Sequence, residues 1–587
     1  MSDAVSRALA ALVLVASAAA LAADDARVLR WGSPVVEAAE EAFILAGRDP
    51  PLLERPVLAG RLREELLGLE GSEAAAELAA SLEPPAKPWS LGLSTSLYGA
   101  WNGSPRRNEF LPQEMFTGVS GAGATATALF APGGRSLLNA EAMSDALAAP
   151  PLLEFRLGLA AGPVALDLDP ELRPASNWYR TGSEASLNYG VLGDFERLDA
   201  NVPYRGVATF LDLPFELRLG RDKLHFGPSR ATGLSFNASI PWADFASARV
   251  DAGPLSLSAY YVRLNPYMTD DERYYLDAIY ANPDLDPDEA AYYELVHTEA
   301  EKNIAICRLT WRIAPWATLV LTQHDLVGGR SMQLSDANPL LIWHNLFQEG
   351  VYGVPAMVEF SATPARGLRL YGEYMLYDAM VADEVGTESG NAGASAYLAG
   401  LSAILPLRSG PLAGSRLRLD AEAVLTDPWV YGKYVSQRQF TSRFVFVEPY
   451  YGRVWVDYPI GPEFGPDCFD LDLRLALGRP GGPELALRGG YRLRGSIDLL
   501  GYGDGCDYTN KSEYRRQGLV FVKEGEEPER SLSIGLEGSL DLGELAGIAL
   551  GLRGALGFVS ASSYRCVPGD DRTWFEASLA FGLSRAF

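Results

Sequence analysis

Four histidines, His225, His297, His324 and His344, are the first residues to weigh for chemistry. "HD" at 324 and 325 sets an imidazole beside a carboxylate, the pairing that general-base catalysis uses. Adjacent residues on a strand point to opposite faces, so these two cannot form a dyad with each other. "HN" at 344 and 345 falls in a loop, and no serine can be assigned to it by spacing. The chain has no metal-ligand set, phosphate-cradling loop or nucleophile elbow. It therefore reads as a non-enzyme that needs no cofactor and no metal.

Binding chemistry is better represented. "GRDKLHFGPSRATGLSFNASIPW" gathers Arg221, Lys223, His225 and Arg230 among aromatics, in a chain whose formal charge is -25. "NPLLIWHNLFQEGVYG" and "YGKYVSQRQFTSRFVFVEPYYGRVWVDY" combine Trp343, Tyr352, Tyr450, Tyr451 and Trp455 with Asn, Gln and Arg. A flat ring stacks on a sugar and a guanidinium grips a carboxylate, so such loops suit an acidic polysaccharide. The candidate set is Arg221, Lys223, Trp343, Tyr450, Tyr451 and Trp455; the plainer reading of the same residues is loop self-packing. The acidic segment at 265–303 reads as a solvated cap. Nucleic acid is excluded as a partner, because its recognition needs clustered Lys and Arg.

Those loops need a scaffold, and from Trp89 onward the apolar period is two. Eight pairs of alternating runs are joined by very short Gly or Pro turns, the first being "LEFRLGLAAGPVALDLDP" and the last "SLSIGLEGSLDLGELAGIALGLRGALGFV". Longer, more polar stretches separate every pair from the next. Short turns at one end and long loops at the other describe an outer-membrane barrel. Sixteen hairpin strands, with a first strand in "WSLGLSTSLYGA" and a last in "TWFEASLAFGLSRAF", predict about eighteen. The fold class is thus all-β, a transmembrane antiparallel barrel over residues 86–587. Tyr98, Tyr260, Tyr261, Tyr377 and Phe558, near the loop ends of strands, are candidates for an interfacial aromatic girdle.

Before the barrel the composition changes. "ALAALVLVASAAALA" after Arg7 is an apolar run with small residues at its end, which predicts a signal peptide over residues 1–23. Residues 24–85 form a small helical periplasmic segment: "SPVVEAAEEAFILAG" opens with a helix-start signal, "VLAGRLREELLGLE" repeats the pattern, and a third helix fits "SEAAAELAASLE". The expected location is the bacterial outer membrane, with outer-membrane lipid and lipopolysaccharide as surroundings. Nothing in the sequence fixes an oligomeric state.

Two further expectations concern the barrel. Glu373, Asp420, Glu422 and Asp472 sit at positions that can face the lumen, which supports an alternative reading as a porin or solute channel with a cation preference. Cys307, Cys468, Cys506 and Cys566 permit three pairings in an oxidising compartment. Cys468 with Cys506 is favoured, because "FDLDLRLALG" and "ELALRGGYRL" pair directly and bring their loops together.

The signal peptide, the pattern "AGRDPPLLERP...LREELLGL", the eighteen-strand layout, the "GRDKLHFGPSRATGLSF" segment and the later "NPLLIWHN" together resemble the Wzi capsule-assembly family. The resemblance implies an outer-membrane barrel with a periplasmic helical bundle that holds exported capsular polysaccharide on the cell surface. It would carry Arg221, Lys223 and Gly227 across as members of that segment. The alternating end of the chain also resembles the C-terminal sorting signal of bacterial outer-membrane barrels, which implies that Phe587 is read by the barrel insertion machinery.

Overall fold

The computed structural model describes residues 25–586 apart from 70, 85–86, 106–135, 138–149, 162, 175–184, 188–197, 200–204, 231, 266–300, 334–335, 337–350, 379–392, 433–438, 449–451, 480–481, 498, 500–513 and 546. The alternating runs form one sheet closed on itself through eighteen strands. In chain order these are β1 (Trp89–Asn102), β2 (Leu153–Ala161), β3 (Val164–Asp169), β4 (Arg205–Asp212), β5 (Phe215–Asp222) and β6 (Ala243–Ala252). Next come β7 (Leu255–Asn265), β8 (Lys302–Ala314), β9 (Ala317–Gly328), β10 (Ala356–Ala365), β11 (Leu368–Asp378) and β12 (Ala394–Pro406). The last six are β13 (Arg416–Thr426), β14 (Cys468–Gly478), β15 (Glu484–Arg494), β16 (Glu529–Leu545), β17 (Ile548–Ser562) and β18 (Arg572–Ala586). Each strand pairs antiparallel with the next, and β18 closes on β1 with Glu576 opposite Asn102 and Ala586 opposite Gly92. Closure gives each of the eighteen strands a partner on both sides, the condition for a sheet at bilayer depth.

Side-chain parity follows the pleat. On β5, Phe215, Leu217 and Leu219 are exposed while Glu216 and Arg218 are buried. The outward set continues as Leu532, Ile534 and Leu536 on β16, Leu556 and Phe558 on β17, and Phe575 and Leu579 on β18. An apolar exterior with a polar interior is the pattern of a barrel in lipid. The expected aromatic girdle needs correction. Tyr261 and Phe558 are exposed on the outer face, but Tyr260 is buried inside and bonded to Glu54, and Tyr377 packs on the lumenal Phe440. Tyr98, opposite the inward Ala580, shares the lumenal parity.

The N-terminal unit folds as read: α1 (Pro34–Ala46) with Pro at its start, α2 (Ala59–Leu67), and α3 (Glu73–Ser81), whose cap Ser72 accepts from the Ala75 N–H. Val36, Phe43, Leu52, Leu62, Leu66 and Leu82 form its own core. It sits within the short-turn mouth of the barrel. The Asp49 N–H donates to Pro315 O (3.0 Å) in the β8–β9 turn, and the Gly367 N–H of the β10–β11 turn donates to Ile44 O (2.8 Å).

Parity gives a direct test. Leu556→Arg, on the lipid face, should destabilise the barrel by about 2–4 kcal/mol in chemical denaturation from lipid, whereas the inward Ser533→Ala should stay within roughly 0.5 kcal/mol.

Candidate functional site

The strands aim a set of charged side chains into the lumen, and the N-terminal unit supplies their partners. Arg308 on β8 is fully buried, holds Glu359 bidentately (2.6 and 2.9 Å) and reaches Glu54 (3.3 Å). Glu54 also accepts from Ser258 Oγ (2.9 Å) and Tyr260 Oη (3.1 Å) and pairs with Arg249 (3.3 Å). Glu40 on α1 stands among four guanidiniums: Arg369 at 2.8 Å, Arg230 at 3.2 Å, Arg418 at 3.5 Å and Arg55 at 3.6 Å. Burial pushes both carboxyls up, but the surrounding arginines prevail and hold each below the ordinary carboxylate range. Asp49 accepts from Ser361 Oγ (2.5 Å), and Arg61 pairs with Glu216 (2.9 Å) and with Asp251.

From the opposite mouth, the connection between β5 and β6 turns inward and meets this unit. His225 pairs with Arg55 and Phe226 with Glu54 in a short antiparallel ladder, extended by the Gly227 N–H to Leu53 O at 3.0 Å. Inward carboxylates tie the segment down: Glu373 accepts from the Leu234 N–H (2.8 Å), and Glu422 accepts from the Arg230 N–H (2.6 Å), the Thr232 N–H (3.3 Å) and Tyr371 Oη (2.7 Å). Gly227 has φ +104, and a Cβ there would collide with the Glu373 carboxylate, so only glycine fits. Phe226, Leu234, Phe236 and Ile240 enter an apolar core with Tyr260, Val262, Met375, Tyr431, Phe440 and Tyr458.

A third layer lies above. The segments Thr441–Glu448 and Gly452–Pro459, both between β13 and β14, form a hairpin closed at its base by Arg443 and Asp457 (2.6 Å). It crosses to β7 and β8, where Lys302 Nζ donates to Thr441 Oγ1 (2.9 Å) and Ser442 Oγ to Leu264 O (3.5 Å). Asn237 Nδ2 donates to Gly461 O, and Tyr431 Oη donates to Leu234 O (3.1 Å), joining this layer to the inward segment. The crossing hairpin, the inward segment and the N-terminal unit thus stack through the lumen.

The candidate residues can now be placed. Arg221 has outward parity on β5, where it clasps Asp244 (2.6 and 2.8 Å) and lies 5.4 Å from the Trp242 ring, at the loop-side edge of the apolar band. Lys223 turns inward and donates to Ala238 O (3.2 Å). Trp455 lies in the hairpin opposite Val445. Trp343, Tyr450, Tyr451, Cys506 and Phe587 lie outside the described residues, so the Cys468 to Cys506 pairing does too; Cys468 is buried at the start of β14. Asp420 accepts from Ser402 Oγ (2.6 Å) and from Arg418, and Asp472 borders a cavity beside α1.

One pairing escaped the sequence. Ser235 Oγ lies 2.7 Å from His324 Nε2, whose other ring nitrogen faces Pro355 O (3.3 Å). Both residues are wholly buried beside Phe440, so no substrate could reach the hydroxyl, and the pair serves as a buried polar tie between β9 and the inward segment. Only the fold could reveal it, since 89 positions separate the two residues.

No family model and no curated protein matches the chain. Among solved structures it is similar to Wzi of Escherichia coli, described as an outer membrane protein involved in group 1 capsule assembly and a carbohydrate-binding β-barrel. The two are 13% identical, with a TM-score of 0.51 over 96% of this chain and 98% of that one. OprD of Pseudomonas aeruginosa is 11% identical with a TM-score of 0.37, over 85% of this chain and 95% of that one. OccK5 (OpdH) of the same organism is 11% identical with a TM-score of 0.39, over 85% and 98%. The likeness to Wzi is one of fold, that of an outer-membrane barrel.

The junction of the unit with the inward segment should depend on pH. His225 is buried against Trp31, donates from Nε2 to Ser229 O (2.9 Å), and its pKa falls to about 3, through burial first and the Arg55 charge second. The Arg55 and Arg308 guanidiniums oppose protonation of this imidazole and the Glu40 carboxylate favours it. A depressed imidazole stabilises the junction above its ordinary value of about 6.5, and that contribution is lost as pH falls toward 3. The opening constant at the Gly227 amide, its exchange rate divided by the intrinsic rate at the same pH, should rise on the order of tenfold between pH 7 and pH 5. His225→Gln should flatten that dependence; an unchanged profile in the variant would assign it elsewhere.

Proposed function

We propose that this protein is an outer-membrane barrel that retains exported capsular or related polysaccharide at the cell surface, binding it through the loops at the long-connection mouth. The observation that carries the reading is the stack through the lumen. A wide diffusion pore needs an open interior, whereas here a helical unit, an inward segment and a crossing hairpin are bonded to the wall and to one another. Such a stack holds a loop surface rigidly, as a lectin requires. Support also comes from the fold shared with a carbohydrate-binding barrel. On this reading Tyr450, Tyr451 and Trp455, which fall between Arg443 and Asp457 in the sequence, stack on sugar rings, while Arg221 beside Trp242 meets anionic groups at the membrane edge. Lipopolysaccharide and the insertion machinery acting on Phe587 are the accompanying partners.

A polymer held by several modest contacts is lost steeply when two are removed. Tyr451→Ala combined with Trp455→Ala, each removing about 1 kcal/mol of stacking, should leave the barrel heat-modifiable on gels while releasing surface polysaccharide into the medium. A strain lacking the whole gene should show the same release. Full retention in that strain would refute the proposal.

A further inference from the structure

The rim at the short-turn mouth is charged unevenly. Three successive connections, β10–β11, β12–β13 and β14–β15, each carry one exposed arginine, Arg366, Arg408 and Arg479, and no carboxylate lies within 364–367, 407–415 or 479–483. Elsewhere the flanking charges differ. Asp212, Asp251 and Glu544 stand beside the β4–β5, β6–β7 and β16–β17 turns, and Arg312 beside the β8–β9 turn is taken up by Glu65 at 2.6 Å. Among the described residues neither Arg408 nor Arg479 has a side-chain hydrogen bond or ion pair. Arg366 lies against Gly47, where a Cβ would come within 3.2 Å of its Cγ, so it also complements the C-terminal end of α1. The next carboxylate along the chain, Glu484, has the inward parity of β15 and is held by Arg474 and by Arg416 (3.5 Å).

Rows of outward leucines begin directly at these turns. Leu405, Leu417, Leu477 and Leu485 stand opposite one another across β12 to β15, and the next outward row is Ala403, Leu419, Leu475 and Leu487. Leu405 is 59% exposed and Leu485 54%, so this surface continues the apolar band that faces lipid. Arg479 prolongs it. It follows Leu477 at the same parity, and its N–H still donates to Pro483 O (3.2 Å), which keeps it in the alternation of the strand. The nine residues between β12 and β13 are braced from within, the Leu407 N–H donating to Ser415 O (2.8 Å) and the Gly414 N–H to Leu407 O (2.9 Å). That bracing holds Arg408 and the exposed Leu412 away from the barrel.

We propose that this sector of the rim, centred on Arg408 and Arg479, binds the phosphate headgroup of an anionic glycerophospholipid in the periplasmic leaflet, with the acyl chains lying along the leucine rows. Successive connections on one rim are two strands apart, about 10 Å, so the two guanidiniums can close on one headgroup. A guanidinium meets phosphate through paired N–H donors, and arginines at the edge of an apolar band sit at headgroup depth. Continuity decides the occupant: the arginines border a surface already covered by acyl chains, so lipid phosphate is the anion that reaches them first. A chain of formal charge -25 is otherwise repelled by an anionic leaflet. The site lies at the opposite mouth from the polysaccharide loops and can fail independently of them.

The test is native mass spectrometry of the purified full chain in non-ionic detergent, incubated with equal concentrations of phosphatidylglycerol and phosphatidylcholine. The expected result is retention of phosphatidylglycerol over phosphatidylcholine by about tenfold. Arg408→Gln combined with Arg479→Gln should reduce that ratio to about twofold or less, while the charge-keeping pair Arg408→Lys and Arg479→Lys should preserve most of it. Lys87→Gln removes an exposed charge beside Trp89, before β1, and should leave the ratio unchanged. If the glutamine pair does not fold, the native ratio and the Lys87→Gln ratio still decide. Equal retention of the two lipids by the native protein would overturn the proposal and favour an acidic protein as the occupant. A ratio unmoved in the folded glutamine pair, or lowered as far by Lys87→Gln, would overturn it too.

Discussion

Burying an arginine is the constraint on which this structure turns. Arg308 and Arg369 project from the strands into the lumen and are shut off from water, a state that a guanidinium tolerates only with carboxylates in contact. Glu359 supplies part of that need from the wall. The rest comes from Glu54 and Glu40, which belong to the N-terminal unit and could not themselves be buried without those arginines. Wall and plug therefore define each other. Such pairs add little net stability, since desolvation offsets their attraction, but leaving one partner alone costs about 3–5 kcal/mol. Their effect is to fix where the unit sits and in which register it meets the inward segment.

That fixing divides the lumen. On the sealed side the arginines hold the unit, the unit holds His225 and Phe226, and the inward segment carries the apolar core under the crossing hairpin. Order propagates from the short-turn mouth to the loop mouth through contacts among buried residues. On the other side serine, glycine and alanine share the wall with Arg488, Glu537, Arg553 and Glu576, all at least partly exposed, and nothing in the described residues packs tightly against it. One barrel thus combines a rigid support for a loop surface with a strip of solvated wall.

Much of the scaffold was legible, because period-two alternation and short turns are local signals. All eight hairpins and both lone strands fall where the sequence places them, and the three helices start at Ser33, after Leu58 and after Ser72. The interior was harder. The segment from Leu224 to Trp242 reads as an exposed loop by position, yet Leu224, Phe226, Leu234, Phe236 and Ile240 make it too apolar to face water, a signal that points inward. The seat of the helical unit was hidden for a different reason. Its mark is complementarity between acids at 40, 49 and 54 and arginines at 308, 369 and 418, and sequence alone does not say which distant charges meet. Tyr260 and Tyr377 show the same limit: their chemistry suits an interface, and only strand parity turns them inward.

The central claim is that the N-terminal unit sits inside the barrel mouth against the inward face of β10. Asp49 and Ser361 touch there through a 2.5 Å hydrogen bond. Introducing Asp49→Cys and Ser361→Cys together and mapping disulfides by mass spectrometry in intact outer membranes reads that contact directly. The account expects a linkage between positions 49 and 361 in most of the inserted protein, formed without added denaturant. Efficient insertion with position 49 freely labelled by a membrane-impermeant thiol reagent applied from the periplasmic side, and no such linkage, would contradict it.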